Sequence, residues 1–327
     1  MKPFRFGLMT ASADSGRAVK ELARKAESLG YDTLLWNDHY AGPGAAMAAA
    51  NHLPQSIASI PAVTLAAEAT ERLRVGFRVI CVDYHNPTVL AKTMATLDLF
   101  SEGRLEVGLG AGWIASEYEA MGIAFDPPAV RIRRLAEVVD VMKQSFEDGP
   151  VDVRGREGVN ATGYEAIPKP VQKPRPPITI GGGGRKVLEL AAREADVVAF
   201  NVNNRSGKLA PDNAISSTGS ATQEKVDWVR AAAGSRMAEI ELEIGAYFVI
   251  VTDAIEDAAS KLGPMTYGMF DMPVAEVLEH PHVLIGQPER ICDVLVERRE
   301  RYGFNYVTVR DASIDDFAPI VARLAGT

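Results

Sequence analysis

The 327-residue chain has only two cysteines and no long apolar run. Cys81 and Cys292 belong to neither a Cys-x-x-Cys motif nor a Cys/His cluster, which argues against a disulfide framework and a zinc site. No stretch of about 18 apolar residues is present, so the sequence predicts no membrane-spanning helix. The segment Met1–Gly7 also lacks the apolar core of a signal peptide. These features predict a reduced, cytoplasmic protein that contacts no membrane.

Basic residues are fewer than acidic ones, 35 Lys and Arg against 43 Asp and Glu. The formal net charge is −8, whereas a nucleic-acid-binding surface needs clustered Lys and Arg, so no nucleic-acid partner is expected. Hydrophobic residues make up 47% of the chain and charged residues 24%, the balance of an ordinary globular protein.

Short apolar runs alternate with helical stretches along the chain. The predicted strands are Arg5–Met9, Thr33–Trp36, Val75–Val82, Leu105–Leu109, Ile178–Ile180, Val197–Phe200, Glu239–Val251 and Tyr306–Val309. The predicted helices include Ser15–Leu29, Gln55–Thr70, Pro87–Phe100, Val130–Phe146, Arg185–Glu194, Gln223–Ala233 and Asp315–Leu324. Repeated βα units indicate a parallel sheet, and eight of them favour a (β/α)8 TIM barrel in one domain, residues 1–327. An open doubly wound sheet is the alternative.

Four stretches interrupt this alternation. Asn37–Leu53, Gly112–Pro128 and the polar Asn203–Thr222 are predicted as insertion loops that contact the substrate, and the Gly- and Pro-rich Gly149–Pro177 is predicted as an excursion outside the barrel.

Four consecutive glycines follow the fifth predicted strand. Gly181–Gly184 would open a helix with bare backbone N–H groups, and Arg185 and Lys186 add positive charge. This arrangement suits a phosphate, although a turn that needs glycine for its backbone angles is the alternative. The spacing to Lys is wrong for a P-loop.

A second glycine cluster, Gly108-x-Gly110-x-Gly112, ends the fourth strand and leads into Trp113. It lacks the third glycine of a dinucleotide fingerprint, but glycines on a barrel strand allow a flat ligand to approach. Trp113 would then either stack on a planar ring or pack in the core.

Histidines provide the candidate proton-transfer groups. His39 follows the second strand, where an imidazole could donate to a ligand, and His85 has a similar place after the third. His280 and His282 flank Pro281 and are expected in a surface turn. No spacing of His, Asp and Glu predicts a metal site.

The whole chain resembles the luciferase-like monooxygenase superfamily, the flavin- and F420-dependent oxidoreductases. The matching residues are Leu73–Gly76, His85–Pro87, Leu90–Lys92, Ala95–Asp98, Ser101–Arg104, Gly108–Trp113, Pro176–Ile178, Gly181–Gly184, Ala191–Ala192, Ala195–Asp196, Gly286–Glu289 and Arg301–Gly303. The resemblance implies a (β/α)8 barrel, a homodimer, and a cofactor ring across the strand ends. It also implies a non-proline cis peptide within Arg78–Val82.

The resemblance to the F420-using branch further implies the roles of individual residues. His39 matches a histidine that lies beside the deazaflavin, and is predicted to be catalytic. The predicted cofactor-binding residues are Cys81, Val82, Asp83, Tyr84, Trp113, Gly181, Gly182, Gly183, Gly184 and Arg185. Within this set, Gly181–Gly184 would hold the phosphate, and Cys81–Asp83 would line the back of the ring.

One departure from the family pattern bears on the substrate. The related F420-dependent sugar-phosphate dehydrogenases have a glutamate that acts as an acid after the glycine-rich fourth strand. This chain has Trp113 at that place, and Glu117 follows four residues later. A sugar phosphate is therefore not expected, and the apolar segment Ala41–Ala50 suggests a hydrophobic small molecule instead.

The sequence thus predicts an F420-dependent oxidoreductase that transfers a hydride to or from the deazaflavin C5. An FMN-dependent monooxygenase using O2 is the first alternative, and a non-catalytic flavin- or deazaflavin-binding protein is the second.

Overall fold

The computed structural model describes residues 1–266 and 268–327. Its strands are β1 (Arg5–Thr10), β2 (Thr33–Trp36), β3 (Arg74–Phe77), β4 (Ile80–Cys81), β5 (Leu105–Gly110), β6 (Pro150–Arg154), β7 (Asn160–Glu165), β8 (Ile178–Gly182), β9 (Val197–Phe200), β10 (Glu241–Ala246), β11 (Phe248–Ile250), β12 (Val283–Ile285) and β13 (Tyr306–Arg310). Its helices are α1 (Gly16–Ser28), α2 (Ala45–Ala49), α3 (Ser59–Glu68), α4 (Pro87–Phe100), α5 (Ala115–Ala120), α6 (Pro128–Phe146), α7 (Arg185–Glu194), α8 (Pro211–Ile215), α9 (Gly219–Ala233), α10 (Ile255–Met265), α11 (Val274–Glu279), α12 (Pro288–Tyr302) and α13 (Ile314–Leu324). Short 3-10 helices cover Val82–Tyr84, Gly234–Ala238 and Asp311–Ser313.

The main sheet closes into a parallel barrel. Around the ring the order is β1, β2, β3, β5, β8, β9, β10 and β13, and β13 pairs back onto β1. The direct pairing of β3 with β5, through Val75 beside Leu105, closes the ring next to the short β4. The predicted (β/α)8 barrel is confirmed, and the open sheet is excluded.

Each barrel strand has two different faces, as β13 illustrates. Val307 and Val309 face outward and are buried in the main core against the surrounding helices. Tyr306 and Thr308 face the barrel interior, where they contact Glu106 and Glu243. The alternation follows from the two-residue period of a strand, and it places the apolar core between the sheet and the helices.

The third strand differs from its prediction. The single strand expected over Val75–Val82 is interrupted at Arg78 and Val79, and the peptide bond between these two residues is cis. The chain here lies so close to β5 that the Phe77 carbonyl occupies the space that a side chain on Gly108 would need. The cis peptide falls within the predicted range.

The seventh strand is also divided, where one strand was expected over Glu239–Val251. β10 and β11 separate at Tyr247, whose hydroxyl donates to Asn201 inside the barrel at 2.9 Å. β11 then leaves the barrel and pairs with β12 in a separate two-stranded sheet.

The predicted insertion loops contain regular structure. Asn37–Leu53 contains α2, Gly112–Pro128 contains α5, and Asn203–Thr222 contains α8 and the start of α9. The predicted excursion Gly149–Pro177 contains the antiparallel pair β6–β7, which is separate from the barrel sheet. The helix expected over Gln55–Thr70 is the shorter α3, which begins at Ser59.

The interior at the amino ends of the strands is filled by paired charges. Buried Glu106 accepts hydrogen bonds from Arg5 and, at 2.7 Å, from Arg74. Burial alone would raise the pKa of Glu106, but the two guanidinium groups outweigh it and lower the pKa. Arg5 also pairs with Glu241 at 2.5 Å. These contacts close this end of the barrel.

Candidate functional site

The opposite end of the barrel gathers most of the predicted site residues. His39 follows β2, Cys81 ends β4 and is followed by Val82–Tyr84, Trp113 follows β5, and Gly182 ends β8 and is followed by Gly183 and Gly184. Because the strands are parallel and the ring is closed, these positions share one end, which we call the barrel mouth.

His39 is held by a buried carboxylate at the mouth. Its Nδ1 lies 2.7 Å from Oε2 of Glu117, whose side chain has no exposed surface, whereas the His39 side chain is 13% exposed. Glu117 Oε1 also accepts backbone N–H bonds from Tyr40 at 2.7 Å and Ala41 at 3.0 Å. One carboxylate on α5 therefore fixes both the imidazole and the backbone that follows it.

These donors keep Glu117 ionised. Burial would raise its pKa, but the hydrogen bond and charge of His39 and the backbone donors of Ala41 and Tyr40 outweigh burial and lower the pKa to about 2. The hydroxyl of Tyr84 donates to the same oxygen as His39, at 3.0 Å. Tyr84, which was predicted to bind the cofactor, therefore contacts Glu117, the residue that holds His39 in place.

A second histidine and a tryptophan complete the wall around His39. The His52 ring lies 4.8 Å from the His39 ring and 5.4 Å from Trp113, between centroids. Burial first, and the neighbouring His39 second, lower the pKa of His52 to about 4, so its ring is neutral at pH 7. Trp113 also packs beside Met47 and Ile114.

The second histidine-carboxylate pair at the mouth uses the opposite ring nitrogen. His85 Nε2 lies 2.8 Å from Oδ2 of Asp38. Asp38 also accepts from the Ser59 hydroxyl at 2.8 Å and from the Cys81 N–H at 3.2 Å. This pair ties three segments together beneath the mouth.

The side chains predicted to line the back of the ring make mostly internal contacts. Val82 is buried in the main core, and the Sγ of Cys81 lies 3.1 Å from the Tyr118 hydroxyl. Burial raises the pKa of the Cys81 thiol to about 12. Asp83 pairs with Arg134 at 2.9 Å and accepts from Tyr118 at 2.9 Å. A cofactor role for these residues stays a prediction.

Val79 presents its side chain at this point of the mouth, although sequence reasoning did not single it out. A β-carbon on Gly110 would lie 2.5 Å from Val79 Cγ2, and one on Gly181 would lie 3.2 Å from Cγ1. The glycines of β5 and β8 therefore make room for the half-buried Val79, and together they form an apolar floor.

The four glycines Gly181–Gly184 differ in their structural surroundings. Gly181 and Gly182 belong to β8, whereas Gly184 caps α7 with no side-chain hydrogen bond at that helix end. Gly183 is packed tightly, since a β-carbon there would lie 2.2 Å from the Val202 carbonyl oxygen. At Gly184 the nearest atom to such a carbon is 4.0 Å away, so the space before α7 is open.

Arg185 lies at this opening but is directed along the helix. Its Nε contacts Glu189 at 2.7 Å, its side chain is 65% exposed, and its guanidinium lies 5.9 Å from the Trp228 ring. The first turn of α7 contains no acidic residue. The positive end of this helix is thus available to an anion.

Two other histidines correct the sequence analysis. His280 and His282 were expected in a surface turn, yet they are 0% and 1% exposed. His280 Nε2 lies 3.0 Å from the Ala214 carbonyl oxygen, and His282 Nδ1 lies 2.7 Å from that of Gly245. A main-chain carbonyl oxygen accepts a hydrogen bond from each ring, and this hydrogen bond allows the imidazole to be buried.

A buried lysine lies near the end of β9. The Lys225 Nζ donates to the Asn201 carbonyl at 2.8 Å and to the Ser217 hydroxyl at 2.7 Å. Burial lowers its pKa to about 7.

The described residues contain neither a metal-binding cluster nor a membrane-spanning helix. Within 1–266 and 268–327, no group of three or more His, Cys, Asp and Glu side chains could hold a metal ion. No helix in those ranges has both the length and the apolar character to cross a membrane.

Comparisons with known proteins agree with this geometry. The family model of luciferase-like monooxygenases matches residues 1–291. A solved F420-dependent secondary alcohol dehydrogenase, in complex with an F420-acetone adduct, superposes with a TM-score of 0.75 over 99% of both chains, at 21% identity. At this identity the match shows the fold alone.

Two relatives are named for different cofactors. An F420-dependent glucose-6-phosphate dehydrogenase of Amycolatopsis mediterranei is 31% identical over 183 residues, covering 55% of this chain and 52% of the relative. An FMNH2-dependent dimethylsulfone monooxygenase of Pseudomonas putida is 30% identical over 194 residues, covering 59% of this chain and 49% of the relative. The chain thus matches about half the length of each relative.

Proposed function

Because this chain belongs to the luciferase-like monooxygenase family, we propose that it is an oxidoreductase that transfers a hydride between coenzyme F420 and a small organic substrate. The observation that carries the proposal is the placement of His39 at the mouth, with Nδ1 fixed by Glu117 and with the floor of Val79 and glycines at the same end. When bound, F420 supplies a carbon centre, C5, that gives or accepts the hydride.

The floor suits a planar ring. Gly110 and Gly181 carry no side chain that would hold a flat molecule away from the strand ends, and Val79 offers it an apolar contact. Trp113 and the neutral His52 form a wall beside His39. The chain's own contribution is to bind and orient the ring and to exclude water from it.

His39 is the residue for proton transfer. A hydride transfer that reduces a carbonyl to a hydroxyl group takes up a proton, and the reverse transfer releases one. His39 Nε2 has no hydrogen-bond partner among the described side chains and backbone, so this nitrogen is free for that proton.

The amino end of α7 is the proposed phosphate site. Its first turn has backbone N–H groups without a side-chain cap, open space at Gly184, and no acidic residue. An anion at this place gains both hydrogen bonds and the favourable end of the helix dipole. Arg185 and Lys186 add positive charge nearby.

We further propose that the active protein is a cytoplasmic homodimer. Both cysteines are free and buried, which suits a reducing compartment.

Exposed apolar Val89 and Phe100 line a groove with Ile60 between α3 and α4, a suitable contact for a second copy. Sedimentation equilibrium tests this: the wild type should be dimeric and Phe100→Asp should shift it toward monomer, whereas a monomeric wild type would refute it.

An FMN-dependent monooxygenase remains the second candidate, favoured by the Pseudomonas putida relative. Both cofactors present a planar tricycle and a phosphate, so the floor and the α7 site accommodate either. The two candidates differ in which cofactor the purified protein prefers.

Titration of the apo-protein with F420 and, separately, with FMN tests the proposal through cofactor fluorescence. We expect F420 to bind at least about tenfold more tightly than FMN, a difference of about 1.4 kcal/mol. The reverse preference would assign the protein to the FMN-dependent monooxygenases. Binding of neither would refute the cofactor site, and binding without turnover of any acceptor would support a non-catalytic binding protein.

A matched pair of variants tests the phosphate site. Gly184→Asp places a carboxylate at the cap of α7, where it stabilises the helix but repels a phosphate. Gly184→Asn places a neutral side chain of the same size there. We expect the Asp variant to bind cofactor at least about tenfold more weakly than the Asn variant, with an equal or higher melting temperature. Equal affinities would place the phosphate elsewhere.

A further inference from the structure

The buried carboxylate of Glu117 receives more donors than a structural anchor for one loop requires. His39 Nδ1 and the Tyr84 hydroxyl reach Oε2, and the backbone N–H groups of Tyr40 and Ala41 reach Oε1. We propose that Glu117 is a positioning residue that fixes the proton of neutral His39 on Nδ1, leaving Nε2 as the proton acceptor at the mouth. Its catalytic consequence rests on the proposed function.

The direction of the hydrogen bond follows from charge. Glu117 stays ionised because its donors lower its pKa to about 2, despite burial. An ionised carboxylate only accepts hydrogen bonds, so at 2.7 Å the His39 nitrogen must be the donor. When His39 is neutral, its imidazole carries a single N–H, and Nε2 is therefore bare.

The same end of the molecule contains the opposite case. In His85 it is Nε2 that faces a carboxylate, Oδ2 of Asp38 at 2.8 Å. With the carboxylate as acceptor, the proton of neutral His85 lies on Nε2. The two histidines therefore have opposite tautomers, and the carboxylate partner decides which ring nitrogen is left free.

The rest of the Glu117 environment makes a selective test possible. In Glu117→Gln, the amide oxygen can still accept from the backbone of Tyr40 and Ala41, which preserves the loop. The amide NH2 then faces His39 Nδ1, which must become an acceptor. The proton should move to Nε2, where it blocks proton acceptance at the mouth.

Nitrogen-15 NMR of histidine-labelled apo-protein at about pH 8, above the usual histidine pKa, reports the tautomer directly because N–H and bare ring nitrogens differ widely in chemical shift. In the wild type we expect Nδ1–H for His39 and Nε2–H for His85, assigned with His39→Gln and His85→Gln. In Glu117→Gln we expect His39 to switch to Nε2–H and His85 to stay unchanged. Tyr84→Phe should leave both tautomers as in the wild type.

A wild-type His39 that carries its proton on Nε2 would overturn the proposal, even if Glu117→Gln fails to fold. Retention of Nδ1–H in a folded Glu117→Gln would overturn it as well. The measurement needs no cofactor, so a protein that fails to bind F420 would refute the proposed function without touching the tautomer result.

A second readout separates positioning from a general structural role. Glu117→Gln should bind F420 as the wild type does, since Glu117 is fully buried beneath His39. Its turnover should fall by about 10²- to 10⁴-fold, the effect of a catalytic histidine held in the wrong tautomer. Loss of F420 affinity together with an unchanged kcat would overturn the assignment.

Discussion

The two ends of the barrel interior are built from opposite kinds of contact. At the amino ends of the strands, Arg5 and Arg74 converge on the buried Glu106, and each charge has a partner of opposite sign. At the mouth, glycines replace side chains, His39 keeps one ring nitrogen free, and the buried Lys225 has only neutral partners among the described residues. Polar groups that are fully paired within the protein stabilise its fold, whereas polar groups without a protein partner are available for a ligand.

The largest expected effect is the loss of catalysis on removing the free imidazole. His39→Ala should reduce turnover by about 10²- to 10⁴-fold, the usual contribution of a proton-transfer group. The melting temperature should stay within a few degrees of wild type, because the His39 ring is not part of the main core. Turnover is measured through F420 absorbance, and unchanged turnover together with unchanged cofactor affinity would contradict the role of His39.

At the opposite end the effects should reverse. Glu106→Ala removes the buried carboxylate that Arg5 and Arg74 share and leaves Arg5 with Glu241 as its acidic partner, which should lower the free energy of unfolding by about 3 kcal/mol. F420 affinity at a temperature where the variant is folded should match the wild type. Urea denaturation measures the loss, with Glu21→Ala on the exposed face of α1 as the control, expected within about 0.5 kcal/mol. A Glu106 variant with normal stability and weak cofactor binding would remove the distinction between the ends.

A smaller effect tests the protonation of the buried Lys225 amine at the mouth. Burial lowers the pKa of Lys225 to about 7, so between the unfolded value near 10.5 and about 7 the unfolded chain binds a proton that the folded protein does not. Stability should therefore rise as pH increases from about 7 toward 10. Lys225→Met should lose this part of the pH dependence, measured by urea denaturation at a series of pH values. The same slope in both proteins would show that the amine is charged when buried.

The sequence predicted the barrel because its strands carry their signal locally. Val197–Phe200 and Tyr306–Val309 are short runs of apolar and β-branched residues, and they appear as β9 and as most of β13. Strands three and seven were predicted as single elements because their apolar runs continue past the break. The interior positions of Arg78 and Tyr247, where the chain changes course, depend on partners distant in sequence, Glu243 and Asn201.

The candidate site was predictable only in part. His39, Trp113 and the glycines could be found because they directly follow strands, and the structure brings them to one end. Glu117 was noticed by its distance from Trp113, but its contact with His39 spans 78 positions and no local pattern indicates it. His280 and His282 were assigned to the surface because a sequence does not reveal the carbonyl oxygens that satisfy a buried imidazole.

The most direct test of the division between the two ends is a crystal structure of the protein with F420 bound. We expect the ring to lie on Val79 beside Gly110 and Gly181, with His39 Nε2 facing it and the phosphate at the N–H groups that open α7. The Glu106 cluster at the other end should be unchanged. A cofactor bound away from the mouth, or a ring out of reach of His39 with its phosphate away from Gly184, would contradict the account.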